Sequence, residues 1–549
     1  MGYRNKLKDL LGDLPLTAEV YWQLRGQYKP WSAHYKLDGL NSVLPEAVAD
    51  VQNLAKSNPD AKKICLFASL HYWIEQAGLI ALALSGQGHQ VSLGYLPYAD
   101  WDKPISRFDL RRQDLYTQKV FAAAAPVMEI VPLLNQLTEE PQLSPELQRI
   151  VEQVSNDDTQ YTLQAEKIDT SCDLYRLRCQ RNRQTAAALV AWFTKTQPDV
   201  VIVPNGTILE MGVAYQVARH LGIQTITFEF ADQRERIWLA QDSQIMSHDT
   251  TALWQALGNQ PLPEPARQAL LELFSARKNA KLWGSFARQW QQTPQQGASK
   301  VKEQLGLDER PVVLLATNVL GDSMTLGRQQ ISDTMADWII GTIRYFLDRK
   351  DAQLVIRIHP GELLTHGTSM VEVINQAFPE LPENIHLVRP EDKTNTYDII
   401  EVIDLGLVYT TTVGLEMSMA GLPVIVAGKT HYARKGFTFD PDTWKEYEQA
   451  LDRILAEPTK FRLSTDQVEQ AWLYAYLFFF EFSLPFPWHL LWLGQDFKTR
   501  PISFVLSPEG QARYAQTFGY LTGEPLDWSA RGYARLQELP PREETPHAG

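Results

Sequence analysis

Residues 406–428 read GLVYTTTVGLEMSMAGLPVIVAG, and the fold is decided by how that stretch is parsed. Two apolar runs, 406–409 and 422–427, have the length of short buried strands. Between them, Val413 to Ala420 is long enough for a short helix, and Gly421 supplies a C-cap. The pattern is a strand–loop–helix–strand unit of a parallel sheet, in which ligands gather at the carboxyl ends of strands. Thr410, Thr411 and Thr412 stand at such an end, and Glu416 follows one turn into the helix. Hydroxyls beside a helix start suit an anion, because the first N–H groups of a helix are free donors.

The same alternation extends outward in both directions. Upstream, RPVVLLATNVLGDS (310–323) is an apolar strand ending in a Gly-containing loop. A helix over 333–349 follows, then strands in AQLVIRIHPGE (352–362) and NIHLVRP (384–390). In the first half, KKICLFASL marks a strand near Lys62, followed by a helix, a Gly-rich turn and a second strand ending in SLGYL. PDVVIVPNGTILEMGVAYQVARHLGIQTITFEF (198–230) repeats the pattern, with strands at 200–204 and 223–229 and a helix to about Leu221. Alternation of this kind predicts an α/β protein with two Rossmann-like parallel-sheet domains facing a cleft. The expected layout is a helical extension over 1–60 and an N-terminal domain over 61–290 with a polar helical insert at 105–195. A Gln/Pro/Gly/Ser-rich linker at 291–300, a second domain over 301–470, and an aromatic C-terminal helix and tail over 471–549 complete it.

Composition narrows the function. The 549 residues are 44% hydrophobic and 21% charged, as in ordinary globular proteins, and the formal net charge of −13 argues against binding bulk nucleic acid. Cys65, Cys172 and Cys179 have no metal-ligand spacing and read as reduced thiols. The start, MGYRNKLKDLLGDLPL, lacks a signal peptide's apolar run, and Lys6 stands where a myristoylation signal needs Ser or Thr. A cytoplasmic location is therefore expected. No transmembrane run is present. The nearest, AWLYAYLFFFEFSLPFPWHLLWL (471–493), is broken by Glu481, Pro485 and Pro487 and reads as a buried aromatic helix, or else as a surface docked peripherally on a membrane.

Three loops of the second half should meet at one sheet edge. TNVLGDS (317–323) offers Asn318, Asp322 and Ser323; RIHPGE (357–362) offers Arg357, His359 and Glu362; YTTTVGLE (409–416) offers the three threonines and Glu416. The set suits a phosphate or diphosphate. A protonated histidine would add a charge-assisted bond of about 1.5–3 kcal/mol. Glu416 fits either a contact to vicinal ribose hydroxyls or a first-turn partner of the helix dipole. Downstream, GKTHYARKGFTFDP (428–441) is a basic loop whose Lys429 and Tyr432 could reach the same ligand.

Taken together, TNVLGDS, VIRIHPGE and YTTTVGLEMSMAGLPVIVAGKTHYARKGFT resemble the capsule polysaccharide biosynthesis glycosyltransferases, relatives of bacterial Kdo transferases, most clearly over 310–440. The His-Pro pair and the hydroxyl cluster are also similar to motifs of bacterial sialyltransferases. The resemblance implies a GT-B fold, with a nucleotide sugar held mainly by the second domain. It would place His359 and Thr410–Thr412 on the donor phosphate and Glu416 on the ribose. The acidic pair followed by glycine that supplies the sialyltransferase base is not found in the first half, which leaves the donor open among CMP-, UDP- and GDP-linked sugars.

A general base would come from first-half loops: His71 or Glu75 after the first strand, Glu210 after PNGT, and Glu229 or Asp232 after TITFEF. Glu229 is equally readable as a structural carboxylate paired with Arg234 or Arg236. The sequence thus supports a glycosyltransferase needing no metal and no cofactor beyond its nucleotide-sugar substrate. Its acceptor would be a glycan or glycolipid, with contact to the inner membrane or a polysaccharide export complex. A nucleotide-sugar 2-epimerase of the same fold, or a non-catalytic binding member of an assembly complex, are the readings of other classes. No Walker motif or G-x-S-x-G elbow points to a P-loop kinase or an α/β-hydrolase.

Overall fold

The computed structural model describes residues 8, 10–26, 35–284, 293–365 and 367–537. They form two compact units: the chain up to His248 with Leu484–Leu526, and Asp249–Ser483 with the described residues from Asp527 onward. The boundary therefore falls earlier than the expected linker. Residues 291 and 292 lie outside the described residues, and the backbone N–H groups of Gln296 and Gly297 both bond to Asp398, which ties this segment into the second unit.

The first unit is built on strands β1 (Lys63–Ser69), β2 (Gln90–Leu96), β3 (Glu129–Pro132), β4 (Val200–Pro204), β5 (Gln224–Phe230) and β6 (Arg236–Gln241). Their spatial order is β6-β5-β4-β1-β2-β3, with the short strand Leu484–Pro485 outside β6. β1 to β5 are parallel, while β6 and Leu484–Pro485 pair antiparallel at the edge. The order reverses between β1 and β4, the topological switch point of a Rossmann-like sheet. β3 and β6 go unnoticed in the sequence: β3 sits inside the polar helical insert, and β6 (RIWLAQ) carries Arg and Gln at its ends.

The second unit holds β7 (Val312–Ala316), β8 (Gln353–Arg357), β9 (Ile385–Val388), β10 (Leu405–Val408) and β11 (Val424–Val426), in the order β11-β10-β7-β8-β9. All four pairings are parallel, and β7, β8, β10 and β11 are buried throughout. That explains their unbroken apolar runs, since helices cover both faces of a parallel sheet. Trp338, Ile339 and Ile343 from helix Met335–Leu347 and Tyr447, Leu451 and Ile454 from helix Trp444–Ala456 belong to the same buried core as the strands. Here the switch point lies between β7 and β10.

The expected long aromatic helix is a correction. Helix Thr465–Tyr476 runs into a π turn, Leu477–Glu481, and the chain then leaves for the edge strand Leu484–Pro485. Phe478, Phe479 and Phe480 are buried, and Glu481, wholly buried, accepts from the Tyr476 hydroxyl and the Arg535 N–H. Pro485 and Pro487 prevent a helix from continuing. Among the described residues no helix is long and apolar enough to cross a membrane.

Candidate functional site

The loops after β7, β8 and β10 meet at the switch point of the second unit, as the sequence predicts, and backbone-to-side-chain bonds hold them together. Thr317, 2% exposed, accepts the His359 N–H on its Oγ1 (3.0 Å) and donates its own N–H to the Arg357 carbonyl (3.1 Å). Asn318 Oδ1 accepts the Thr410 N–H (3.2 Å). One side chain joins β7 to β8, and the next joins β7 to β10. Thr317 is absent from the residues singled out by sequence; its position directly after an apolar strand run was the available signal.

His359 opens the turn Pro360–Leu364, and its Nδ1 accepts the Gly361 N–H at 2.9 Å. A Cβ on Gly361 would sit 2.7 Å from that nitrogen, so the close approach needs glycine. With Nδ1 accepting, the neutral ring carries its proton on Nε2. The residue is exposed, yet the surrounding protein removes enough water to hold its pKa below that of an ordinary histidine. The Arg357 charge adds to this, and Asp322 opposes it. Both features favour a neutral ring with Nε2–H as its donor over the protonated histidine expected from the sequence.

Thr410 is 3% exposed, and its Oγ1 has no hydrogen-bond partner among the described residues. A buried hydroxyl left unpaired costs about 1–3 kcal/mol and calls for an explanation such as a ligand. The Thr411 carbonyl accepts from the Tyr432 hydroxyl (2.6 Å), and a Cβ on Gly414 would lie 2.3 Å from that oxygen. Tyr432, wholly buried, is thus a strut under the threonine turn rather than a ligand contact. Thr412 precedes helix Val413–Met419 and makes no side-chain cap bond. At seven residues this helix has little dipole, and its Gly414 and Leu415 N–H groups are already bonded to the Thr411 and Thr412 carbonyls, so the expected row of free donors is reduced.

Several expected donor contacts have structural work instead. Glu416 is 8% exposed and pairs through Oε1 with Arg277 (2.8 Å), itself 2% exposed, on helix Glu264–Lys278. Burial raises its carboxyl pKa, with Arg277 and the Tyr397 hydroxyl opposing. Arg277 was missed because it lies about 140 residues upstream with no motif around it. Arg357 is buried and donates to the Arg389 carbonyl, and burial lowers its pKa to about 10. Glu362 accepts from Ser369 Oγ (2.8 Å) and the Met370 N–H, capping helix Met370–Ala377. Asp322 Oδ1 accepts the Met324 N–H (2.7 Å), and Ser323 is half-buried beside it in the chain. In the basic loop, Arg434 pairs with Asp442 and His431 is stacked on Phe478, while Lys429 stays exposed.

In the first unit, His71, Asn205 and Glu229 follow or end β1, β4 and β5, three neighbours at the same sheet edge. Glu229 is 8% exposed and accepts from Asn205 Nδ2 (3.0 Å), while Arg234 pairs with Asp496 (2.7 Å). His71 begins helix His71–Gly86; its Nδ1 is buried without a hydrogen-bond partner among the described residues, and burial lowers its pKa. Leu70 and Asn205 both hold positive φ (65° and 55°), backbone strain of the kind that clusters at ligand sites. Glu75 accepts the Leu40 N–H (2.9 Å), and burial raises its pKa to about 7.

Neither a protein-family model nor a curated protein sequence matches the chain. Solved structures give only distant likenesses. KpsC of Thermosulfurimonas dismutans, a beta Kdo 2,4 transferase, is 17% identical over 50% of this chain and 79% of that one, with a TM-score of 0.32. The UDP-GlcNAc 2-epimerase of Neisseria meningitidis, bound to UDP-GlcNAc, is 11% identical over 75% of this chain and 98% of that one, at a TM-score of 0.25. At such scores these likenesses carry no argument about chemistry, which must come from the residues themselves.

One candidate base is removed by its surroundings. Glu210, 1% exposed, pairs with Arg178 (2.9 Å) and accepts from Ser69 Oγ; Arg178 also pairs with the buried Asp158. Burial pushes the Glu210 pKa up, but the Arg178 and Arg181 charges outweigh it and hold the carboxyl below its usual range. Glu210→Ala would leave Arg178 with one buried partner too few. The expected loss is about 3–5 kcal/mol of stability, read as a lower urea midpoint. A variant of wild-type stability would return Glu210 to the list of bases.

Proposed function

We propose that the protein is a glycosyltransferase whose nucleotide-sugar phosphate is bound at the β7–β10 switch point of the second unit. The observation that carries this reading is the buried, unpaired Thr410 hydroxyl beside a loop whose exposed His359 presents a fixed Nε2–H donor. Neutral donors aimed at a phosphate stabilise the negative charge that develops as the nucleotide leaves. The resemblance of 317–323, 357–362 and 409–438 to capsule polysaccharide glycosyltransferases supports transfer rather than simple binding. The donor is held without a divalent metal, and the acceptor is a glycan or glycolipid.

Incubation with CMP-, UDP- and GDP-linked sugars, with and without EDTA, tests this. Release of one free nucleotide, unaffected by chelation, is the expected result. Interconversion of the sugar without nucleotide release would instead mean an epimerase. Glu229, with Asn205 fixing one carboxylate oxygen, is the base this reading favours. Glu229→Gln should then lower kcat about 10²–10⁴-fold with donor affinity unchanged. Wild-type kcat in that variant would remove Glu229 from the mechanism.

A further inference from the structure

A second set of unpaired polar atoms stands in the first unit, at its own switch point between β1 and β4. Strand register sets their level. Leu66 pairs with Ile202 and Ile202 with Ile226, so three residues further on Ser69, Asn205 and Glu229 form one row at the carboxyl end of the sheet. His71 and Thr207 each follow that row by two residues, one on each side of the switch point.

Thr207 is 9% exposed, and its Oγ1 has no hydrogen-bond partner among the described residues; the same holds for His71 Nδ1. A buried polar atom left unpaired in a native protein calls for an explanation. Looseness of the loop is not one. Asn205 Oδ1 accepts the Thr207 N–H (3.1 Å), and Asn205 Nδ2 donates to Glu229 (3.0 Å). Gln244 Nε2 donates to the Gly206 carbonyl (3.1 Å), and a Cβ on Gly212 would lie 2.5 Å from the Thr207 carbonyl oxygen. Leu70, Asn205 and Leu209 all hold left-handed φ (65°, 55° and 59°), which a leucine adopts only when its surroundings impose it. Both loops are thus strained and pinned around a hydroxyl and an imidazole nitrogen that bond to no described residue.

The chemistry of these groups selects the ligand. The Glu229 carboxylate accepts hydrogen bonds and disfavours an anion beside it. The Thr207 hydroxyl both donates and accepts, and a histidine nitrogen does one or the other by tautomer. Sugar hydroxyls, which also donate and accept, complement all three. We infer that Thr207 and His71 bind hydroxyls of the acceptor sugar beside Glu229, an inference that rests on the transferase reading above.

Saturation-transfer NMR titration of the full chain with the methyl glycosides of glucose, galactose, mannose and N-acetylglucosamine tests this. At least one should bind the wild type and Thr207→Ser alike. It should bind Thr207→Val about tenfold more weakly, the loss of one hydrogen bond. Valine keeps the branched shape and removes a buried unpaired hydroxyl, so the melting temperature of Thr207→Val should hold or rise. If that variant does not fold, His71→Phe serves instead, because it keeps a ring against Tyr35 and loses both nitrogens. No sugar bound by the wild type, equal binding by the variant, or a lower melting temperature with binding intact would each overturn the proposal. Thermal shift by CMP, UDP or GDP should be the same in Thr207→Val as in the wild type. Sugar binding without any nucleotide shift would count against the transferase reading and not against this site.

Discussion

Replacing Arg277 by leucine is expected to destabilise the protein by about 3–5 kcal/mol, more than any substitution in the loops after β7, β8 and β10. Arg277 and Glu416 are both buried and 2.8 Å apart. Without the guanidinium, Glu416 is a lone carboxylate in a low-dielectric site. The carboxyl pKa, already raised by burial, would rise further. A carboxyl whose folded pKa lies above its unfolded value keeps its proton in the folded state while the unfolded chain has lost it. Stability then falls as pH rises from the unfolded pKa toward the folded one. The loss in Arg277→Leu should accordingly be larger at about pH 8 than at about pH 5. Urea melts at the two pH values measure it. Arg277→Met combined with Glu416→Gln should recover most of the stability, because it removes both charges together. A Glu416 that served chiefly as a ribose contact would behave oppositely: Glu416→Gln alone would weaken nucleotide binding, and Arg277→Leu would leave stability near wild type.

The second large effect is on binding. His359→Asn keeps an acceptor oxygen close to where Nδ1 receives the Gly361 N–H, but removes the Nε2 donor. Nucleotide affinity should drop about 10–100-fold with little change in melting temperature, the loss of one hydrogen bond to a charged group. His359→Gln keeps a donor near Nε2 and gives up the bond that shapes the turn, so it should cost both affinity and local order. A neutral donor predicts wild-type affinity that stays flat between about pH 6.5 and pH 8. Affinity that climbs steadily as pH falls through that range would mean the ring binds as imidazolium. Titration calorimetry of the three proteins separates these outcomes.

What the sequence disclosed follows from the range of the forces involved. Strands β7, β8 and β10 are legible because parallel strands buried on both faces write themselves as unbroken apolar runs. Their loops follow directly, so the convergence of 317–323, 357–362 and 409–416 could be foreseen. The roles of single residues could not. From their helix-start positions Glu416 read as a ribose contact or dipole partner and Glu210 as a candidate base, yet partners distant in the chain, Arg277 and Arg178, hold both in buried ion pairs. Tyr432 and Glu362 likewise hold loops through single hydrogen bonds that leave no trace in spacing. Which ring nitrogen of His359 accepts depends on one backbone N–H two residues away, a detail of turn geometry. β6 escaped because a strand with charged or polar ends lacks the apolar run that marked its neighbours.

Nucleotide phosphate is expected to bind where Thr317 and Asn318 join the loops around His359 and Thr410. Hydrogen–deuterium exchange of the full chain, with and without CMP, UDP, GDP and ADP, tests it most directly. One nucleotide should slow exchange in peptides covering 317–323, 357–361 and 409–413, and that protection should disappear in His359→Asn. Protection confined to other segments, or persisting unchanged in the variant, would contradict the account.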